Sequence, residues 1–345
     1  MKLLMTSAPQ PVESPGRVRR TLSEEIIMKC PGRRIAVLGA LLLCGGAIVA
    51  AAYQAPAGGR QGRGAEGAQG AQVIQVDKLK DNLFVLRGGG GNSAVFVGSD
   101  GVTVVDTKIP GWGQPLIAKI KEVTDRPVIR IINSHTHYDH VGGNVDFPTT
   151  IDIVAHVNTR TNMEGARPPK GAEARVPPDV FKANGGKNMA KRTFKDKMTI
   201  GNGADRIDLY YFGRGHTNGD AWTVFPALRV MHAGDIFSGK LVPLLDSNNG
   251  GSGVEIADTL TKAATLKDID QIITGHSTVM TPADLKEYSE FNRDFLAYVR
   301  DAKKAGKSVE AAASGYKIPE KFAGYRAPQP DSIKNNVEVV YAELK

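Results

Sequence analysis

Cysteine is almost absent from this chain. Its 345 residues include only Cys30 and Cys44, so every position after residue 44 is free of thiols. The main body therefore has neither a disulfide nor a thiolate ligand for a metal ion. Long basic runs are missing as well: residues 1–57 carry seven Lys or Arg against three Glu, and the remainder carries 37 basic and 33 acidic groups. A net charge of +8 spread in this way predicts no nucleic-acid partner.

Aromatic residues are also few, at 6% of the chain, whereas apolar residues make up 41% and charged residues 23%. These proportions are typical of a globular protein, and they exclude full-length disorder, a collagen and a protein with many membrane spans. The length corresponds to about two typical domains or one large domain.

The first 57 residues have the layout of an export signal. Residues 35–53 are apolar and uncharged, basic residues precede them, and small residues at 50–52 and 55–57 offer cleavage sites. The alternative is an uncleaved membrane anchor, because about 18 apolar residues can just span a bilayer. We predict cleavage, and hence a periplasmic or secreted protein that contacts a membrane only if the signal is retained.

The start of translation and the domain boundaries also follow from composition. Residues 1–27 are polar and contain prolines, whereas Met28 begins a signal of normal length, so we predict Met28 as the true start. Residues 58–72 are rich in Gly, Ala and Gln and predict a flexible linker. The remaining residues, 73–345, are predicted to form the functional domain, with helices at its C-terminal end.

This domain alternates strand-like and helix-like segments. Strands are predicted at 73–76, 83–86, 94–97, 102–105, 128–132, 151–155, 206–212, 222–225, 228–231 and 269–273. Helices are predicted at 114–123, 254–266, 282–305 and 331–344. A meander of strands followed by strand-helix alternation, twice over, predicts two β-sheets packed face to face with helices outside.

A dense group of metal-ligand residues follows the predicted buried strand at 128–132. Four such residues lie within six positions: His135, His137, Asp139 and His140. Alternate side chains of an extended chain share a face, so His135 and His137 can converge on one ion. The chain must turn to use Asp139 and His140 together, and the turn would aim them at a second ion about 3.5 to 4 Å from the first.

Three further residues of the same type stand just after predicted strands. His216 lies in a Gly-His-Thr turn, Asp235 in a Gly-Asp turn and His276 in a Thr-Gly-His turn. Each turn alone is a weak signal, because turns after strands often carry glycine and a polar residue. Their common placement at strand ends predicts that they complete the same metal site.

These motifs, in this order, are similar to those of the metallo-β-lactamase superfamily over roughly residues 73–276. The resemblance rests on the His-x-His-x-Asp-His signature and the three turns that follow it. It implies an α/β (α+β) fold, a four-layer αββα sandwich with the metal ions at one edge between the sheets. Asp106, in Val-Val-Asp-Thr, matches the early structural aspartate of the family.

The resemblance also implies a ligand set. His135, His137 and His216 would hold one ion, Asp139, His140 and His276 would hold a second, and Asp235 would bridge them. The expected ions are two Zn²⁺ per chain, with Fe or Mn as alternatives. The thiolate-using β-lactamases of the family have cysteine at the position of Asp235, whereas an aspartate there is similar to glyoxalase-II-like thioesterases, lactonases and other hydrolases.

We therefore expect an exported dinuclear zinc hydrolase that attacks a carbonyl with a metal-bound hydroxide. Asp139, close to the shared water, would orient it or relay its proton and so act as a catalytic residue. The expected substrate is a small molecule with an ester, lactone, thioester or β-lactam carbonyl. The alternatives are an iron-dependent oxidoreductase similar to sulfur dioxygenases, a narrow β-lactamase, and a binding protein that retains the fold without catalysis.

Several nearby polar residues have simpler explanations. His156 and His232 are predicted to make ordinary hydrogen bonds, and Asn218 and Asp220 to form turns. Two loops, residues 165–191 and 238–253, are expected to determine specificity, although neither contains a chemistry that the sequence reveals. Tyr138 is either a substrate contact or simply an exposed tyrosine. Asn144 is either a substrate contact or an asparagine that forms the loop.

Overall fold

The computed structural model describes residues 73–165, 167–169, 179–326 and 329–345. These residues belong to the compact unit Glu66–Lys345. The predicted export signal, the start at Met28, both cysteines and the linker at 58–72 lie outside the described residues, as does part of the 165–191 loop. Within the described ranges, no helix is long and apolar enough to cross a membrane.

The first β-sheet has seven strands in sequence order. They are β1 Gln75–Lys80, β2 Leu83–Arg87, β3 Ser93–Val97, β4 Val102–Val105, β5 Val128–Asn133, β6 Asp152–His156 and β7 Arg192–Phe194. The first four pair antiparallel, and β4 to β7 pair parallel. The parallel strands are connected through helices, as parallel pairing requires.

The second β-sheet has five strands in the order β12, β11, β10, β9, β8. They are β8 Lys197–Ile200, β9 Ile207–Tyr210, β10 Trp222–Phe225, β11 Val230–Gly234 and β12 Gln271–Thr274. Only β11 and β12 pair parallel; the other pairs are antiparallel. Consequently β9, β11 and β12 run in one direction, and their carboxyl ends lie at one edge.

Eight α-helices accompany the sheets in the described part of the chain. They are α1 Gly113–Val123, α2 Tyr138–Val141, α3 Val157–Gly165, α4 Val180–Ala183, α5 Ile256–Ala263, α6 Pro282–Lys304, α7 Val309–Gly315 and α8 Pro330–Glu343. The longest, α6, begins with a capping box in which Thr281 and Asp284 satisfy each other's backbone N–H groups. Pro282 at its first position has no N–H to leave unpaired.

The alternation of buried residues along β3 explains the layers. Ala94 and Phe96 face the core between the two sheets, whereas Val95 faces the opposite side and packs with Leu116 of α1. On the second sheet, Trp222 of β10 packs outward with the C-terminal helices. The result is helix, sheet, sheet, helix, which is the αββα sandwich that the resemblance implies.

Most predicted elements are present, and the differences have local causes. β1 begins at Gln75 rather than at 73, and residues 165–191, predicted as a loop, contain α4, whose N-terminal amides are capped by Asp179. β7 has only three residues, and β8 has only Met198 and Ile200 as apolar residues, so neither shows a strand pattern. α3 and α7 were not predicted either, because their sequences are polar or alanine-rich and show little apolar period.

Leu116→Ala tests the outer layer of the first sheet. Leu116 is fully buried, so its truncation should lower the free energy of unfolding by about 2 to 5 kcal/mol, measured by urea denaturation followed by circular dichroism. The control is Val73, whose side chain is 65% exposed. Val73→Ala should change the free energy of unfolding by less than about 0.5 kcal/mol. Equal effects of the two substitutions would contradict this packing.

Candidate metal centre

The structure brings together all seven residues that the sequence predicts as ligands. They form two clusters in which the potential ligand atoms lie within 4.8 Å of one another. The first cluster contains His135, His137, His216 and Asp235, and the second contains Asp139, His140 and His276. The first and last of these residues are more than a hundred positions apart in the sequence, and they follow strands of different sheets. The two sheets together therefore create this site.

The strand ends explain this convergence. His135 follows β5, Asp235 follows β11 and His276 follows β12. The ends of the two sheets are joined where Ala221 N donates to the Ser134 carbonyl at 2.7 Å. The turn that the sequence requires after His137 is α2, a single helical turn that carries Asp139 and His140.

Three imidazoles make up most of the first cluster. The ring centroids of His135, His137 and His216 lie 4.5 to 4.7 Å apart, and all three rings are buried. His137 Nδ1 and His216 Nε2 approach to 3.0 Å. His135 Nε2 is buried without a hydrogen-bond partner.

Each of these rings is held by its outer nitrogen. His137 Nε2 donates to Asp246 Oδ2 at 2.7 Å, and His216 Nδ1 donates to the Leu244 carbonyl at 2.7 Å, because neither oxygen can donate. Both rings therefore present a lone pair inward, at His137 Nδ1 and at His216 Nε2. Two lone pairs facing each other across 3.0 Å repel unless a cation lies between them.

The same reasoning fixes the third ring. Ser134 Oγ must donate its one hydrogen to the Asp106 carboxylate, 2.6 Å away, because a carboxylate only accepts. It therefore accepts from His135 Nδ1 at 2.9 Å, which leaves His135 Nε2 with an inward lone pair. All three rings of the first cluster consequently have the tautomer that a metal ligand needs.

The second cluster joins rings and a carboxylate. His140 Nε2 lies 3.3 Å from His276 Nε2, and His276 Nε2 lies 3.1 Å from Asp139 Oδ2. His140 Nδ1 donates to Asp106 Oδ2 at 2.7 Å, so Asp106 supports both clusters, one directly and one through Ser134. This contact gives a physical role to the aspartate that the resemblance describes as structural.

Asp235 stands between the clusters. Its Oδ1 lies 3.1 Å from His140 Nε2, and its Oδ2 lies 3.2 Å from His276 Nε2 and 3.8 Å from His216 Nε2. One carboxylate thus faces rings of both groups, as a bridging ligand must. Space for it is tight: a Cβ at Gly275 would lie 1.9 Å from Asp235 Oδ1, so only glycine fits there.

Electrostatics favour the neutral form of two rings of the first cluster, those of His135 and His216. Burial disfavours the charged imidazolium and lowers the pKa of His135 well below its usual value, and neighbouring histidines lower it further. Burial likewise lowers the pKa of His216. Neutral rings are the form that binds a metal ion.

The second cluster has opposite charges in contact. Burial would lower the pKa of His140, but Asp235, Asp139 and Asp106 outweigh it and raise that pKa well above its usual value. Asp235 is also the main cause that raises the pKa of His276 to about 9. Burial opposes ionisation of Asp139, yet the two histidines hold its pKa at about 2, so this carboxylate is anionic at neutral pH.

The two clusters fit divalent metal ions. Three imidazole nitrogens with a carboxylate, and two imidazoles with two carboxylates if Asp235 is shared, are donor sets that zinc accepts. Because every donor is nitrogen or oxygen, iron and manganese also fit this chemistry. The lone pairs that meet at 3.0 Å and the unpaired His135 Nε2 are the observations that favour a metal ion at this site.

Asp246 is the most important residue that sequence reasoning missed. It lies in the 238–253 loop, in which the sequence alone reveals no chemistry, whereas the structure places its carboxylate on a ligand ring. Asp246 Oδ1 accepts from Asn248 N and Asn249 N, while its Oδ2 holds His137. The only signal in the sequence is an Asp-Ser-Asn-Asn turn, which predicts a cap and not a metal contact.

Lys108 was missed as well. Its side chain is fully buried, and its Nζ donates to the Leu86 carbonyl at 2.5 Å and to the Gly91 carbonyl at 2.6 Å. Burial lowers its pKa to about 7. It anchors the glycine-rich turn at 88–91, where a Cβ at Gly91 would lie 2.1 Å from the His140 ring.

The remaining polar residues have framework roles. His156 Nε2 contacts the Lys195 carbonyl and His232 Nε2 contacts the Asn92 carbonyl, in agreement with ordinary hydrogen bonding. Asp220 accepts from Thr217 N and Oγ1 and forms the predicted turn. Asn144 is fully buried and accepts from Thr107 Oγ1 at 2.7 Å, so it supports the fold.

A comparison of the sequence with known families agrees with this geometry. A sequence model described as the metallo-beta-lactamase superfamily matches residues 86–277, more than half of the chain. The protein belongs to the metallo-β-lactamase superfamily. The predicted α/β class and αββα sandwich are thereby confirmed.

Two curated relatives are hydrolases. The chain is 28% identical over 178 residues to metallo-beta-lactamase type 2 of Elizabethkingia meningoseptica, an alignment that covers 47% of this chain and 62% of the relative. It is 29% identical over 212 residues to hydroxyacylglutathione hydrolase of Nostoc punctiforme, covering 59% and 67%. The chain thus spans just under two thirds of the first relative, and its superfamily is one of metal-dependent hydrolases.

A solved structure shows the same fold. The stereoselective inverting sec-alkylsulfatase Pisa1 from Pseudomonas sp. superposes with a TM-score of 0.60 at 15% identity, covering 79% of this chain and 50% of that chain. At this identity the similarity concerns the fold alone. The superposition covers a larger share of this chain than the family match does, so the similarity in fold extends beyond the ligand-bearing strands.

Asp246→Asn tests the support of the first cluster. Loss of the carboxylate charge weakens the bond that fixes the His137 tautomer, so affinity for a metal ion at the first cluster should fall about 10- to 100-fold, measured by competition with a chromophoric chelator. Asp208 is another buried carboxylate, paired with Arg206, and Asp208→Asn is the control that should leave metal affinity unchanged. An equal loss in both variants would indicate a general effect of destabilisation.

Proposed function

We propose that this protein is an exported, dinuclear zinc-dependent hydrolase of small molecules with an ester, lactone, thioester or β-lactam-type carbonyl. The observation that carries the proposal is the position of Asp235, whose two oxygens face histidines of both clusters. A carboxylate in that place supports two neighbouring ions better than one isolated ion, because it offers each of them a charged oxygen.

We assign the ligand residues to the two ions according to the two clusters that they form. His135, His137 and His216 would hold the first ion, Asp139, His140 and His276 the second, and Asp235 both. When bound, such ions supply Lewis acidity, which acidifies a water and polarises a carbonyl oxygen. No side chain of the chain then has to act as the nucleophile.

Substrate access is expected on the side of the second cluster. The side chains of His276 and Asp139 are 38% and 20% exposed, whereas the rings of the first cluster are buried. Asp139 is thus the acidic group of the site that faces the opening. Its ionised carboxylate can orient a water or accept its proton, which is the catalytic role that we assign to it.

The residue at position 235 supports one class of carbonyl over another. The thiolate-using β-lactamases of the superfamily have a cysteine there, and this chain has none in the domain. A carboxylate favours the ester, lactone or thioester substrates over the β-lactam. Of the two curated relatives, the hydroxyacylglutathione hydrolase agrees with this order, whereas the metallo-beta-lactamase type 2 does not.

Iron chemistry is a second candidate, because the donor set contains only nitrogen and oxygen. An iron-dependent oxidoreductase similar to sulfur dioxygenases would use the same ligands. Elemental analysis of the native protein separates the two: zinc supports the hydrolase, and redox-active iron with oxygen-dependent turnover supports the oxidoreductase.

Metal content and Asp235→Asn test the proposal. The native protein should contain close to two zinc ions, hydrolyse at least one of a panel of lactones, thioesters, esters and β-lactams, and lose this activity to a strong chelator. Asp235→Asn removes a negative charge facing both clusters, so metal content or affinity should fall and turnover should drop at least about 100-fold. A variant with two ions, an unchanged pH profile and wild-type rates would show that Asp235 is only a turn residue.

Export has its own test. If the signal is cleaved between residues 50 and 57, the mature chain lacks Cys30 and Cys44 and contains no thiol. Protein recovered from the periplasm or medium should therefore give no reaction with a thiol reagent after denaturation. One or two thiols per chain in that fraction would show that the segment is retained.

A further inference from the structure

The C-terminal helix α8 contacts the loop that supports the first cluster. This helix, Pro330–Glu343, lies beyond residues 86–277, the part of the chain that matches the superfamily. Its last residue, Glu343, accepts from Gly253 N at 2.9 Å and Val254 N at 3.1 Å. Glu343 also forms an ion pair with Arg214 at 3.0 Å, and Arg214 is two residues before His216 in the sequence.

The main contact is made near the middle of the helix by Asn336. This side chain is fully buried, and its Nδ2 donates to the Pro243 carbonyl at 2.6 Å. Its Oδ1 accepts from Leu245 N at 3.2 Å. The orientation of the amide is determined by these partners, because a carbonyl can only accept and an N–H can only donate.

The two bonds lie on either side of Leu244. The carbonyl of Leu244 is the acceptor for His216 Nδ1, at 2.7 Å. Asn335 adds a third bond to the same segment, from its Nδ2 to the Leu245 carbonyl at 2.9 Å. The peptide that fixes the tautomer of His216 is therefore held from α8 at both of its neighbours.

We propose that Asn336 is a positioning residue for the first metal cluster, acting through the Leu244 carbonyl on the orientation and tautomer of His216. This inference rests on the proposed function, because it assigns His216 to a metal ion. The chain of contacts runs from Asn336 to residues 243 and 245, from Leu244 to His216 Nδ1, and from His216 Nε2 to the inward face of the cluster.

A buried amide suits this task because both of its groups are used. Carbonyl and N–H groups in the interior must be paired, and Asn336 pairs one of each on a loop segment without regular structure. An apolar residue in its place would leave both unpaired, and the loop would have to move to reach other partners. Leu244 would move with it, since its neighbours on both sides are released.

The test compares Asn336→Asp with Val337→Ala. Aspartate has the same size but cannot donate to the Pro243 carbonyl, whereas Val337, the next residue of α8, is equally buried and only packs. Both substitutions are introduced into the wild-type protein and into the His276→Ala variant. In the His276→Ala variant only the first cluster keeps its full ligand set, so zinc binding there reports on that cluster. Zinc affinity is measured by chelator competition, thermal stability by circular dichroism, and the His216 tautomer by ¹⁵N NMR.

Asn336→Asp should weaken zinc binding at the first cluster at least about tenfold and shift the ¹⁵N resonances of His216 away from those of an Nδ1–H tautomer. Val337→Ala should lower the melting temperature without either change. Should Asn336→Asp not fold, Asn336→Ala, which removes both bonds without adding charge, is expected to show at least the same loss of affinity.

Three results overturn the inference. Wild-type zinc affinity in the folded Asn336 variant would show that Leu244 does not depend on the amide. An equal loss of affinity in Val337→Ala would show that helix packing alone is responsible. A wild-type protein that binds no divalent ion would overturn the proposed function as well, and zinc stoichiometry shows this before any variant is compared.

Discussion

Two imidazole nitrogens, His137 Nδ1 and His216 Nε2, meet at 3.0 Å in the interior, and both present lone pairs. Much of the structure around the two rings maintains this orientation and these tautomers. Asp246 and the Leu244 carbonyl take the outer N–H groups of the two rings, and Ser134 takes that of His135. Each of these partners lies in a turn after a strand or in the loop next to one. The geometry of the first cluster is therefore as much a property of the loops as of the histidines.

The ligands were accessible from the sequence, whereas their supports were not. His135, His137, Asp139 and His140 stand in one short segment after an apolar strand, and the other three share a strand-end position, so spacing alone indicates them. Asp246 acts on a histidine 109 residues away, and nothing local to it describes that contact. The Leu244 carbonyl has no side-chain signature at all, because every residue carries the same group. Long-range polar contacts of this kind require the fold to be known.

The same contrast applies to the secondary structure. β3, β4 and β10 were predicted because their residues are mostly β-branched or aromatic, and the structure buries both faces of these strands. β8 escaped prediction, since Met198 and Ile200 are too few to define an alternation. The charged segment before β7 gave no periodic signal, and tertiary pairing with β6 makes it a strand. Local sequence is sufficient for the central strands, whereas the edge strands β7 and β8 depend on their neighbours.

The distribution of the ligands over the chain couples the site to the folding of the whole domain. His140 and His276 lie 136 residues apart in sequence and 3.3 Å apart in space, and they follow strands of different sheets. No partly folded form with only one sheet in place contains either complete cluster. Any ion that binds only the assembled clusters therefore stabilises the domain globally, by about 2.7 kcal/mol when its free concentration is 100 times its dissociation constant. Local fraying of a helix that neither carries nor supports a ligand would leave that linkage intact, whereas separation of the sheets would release the ligands in one cooperative step.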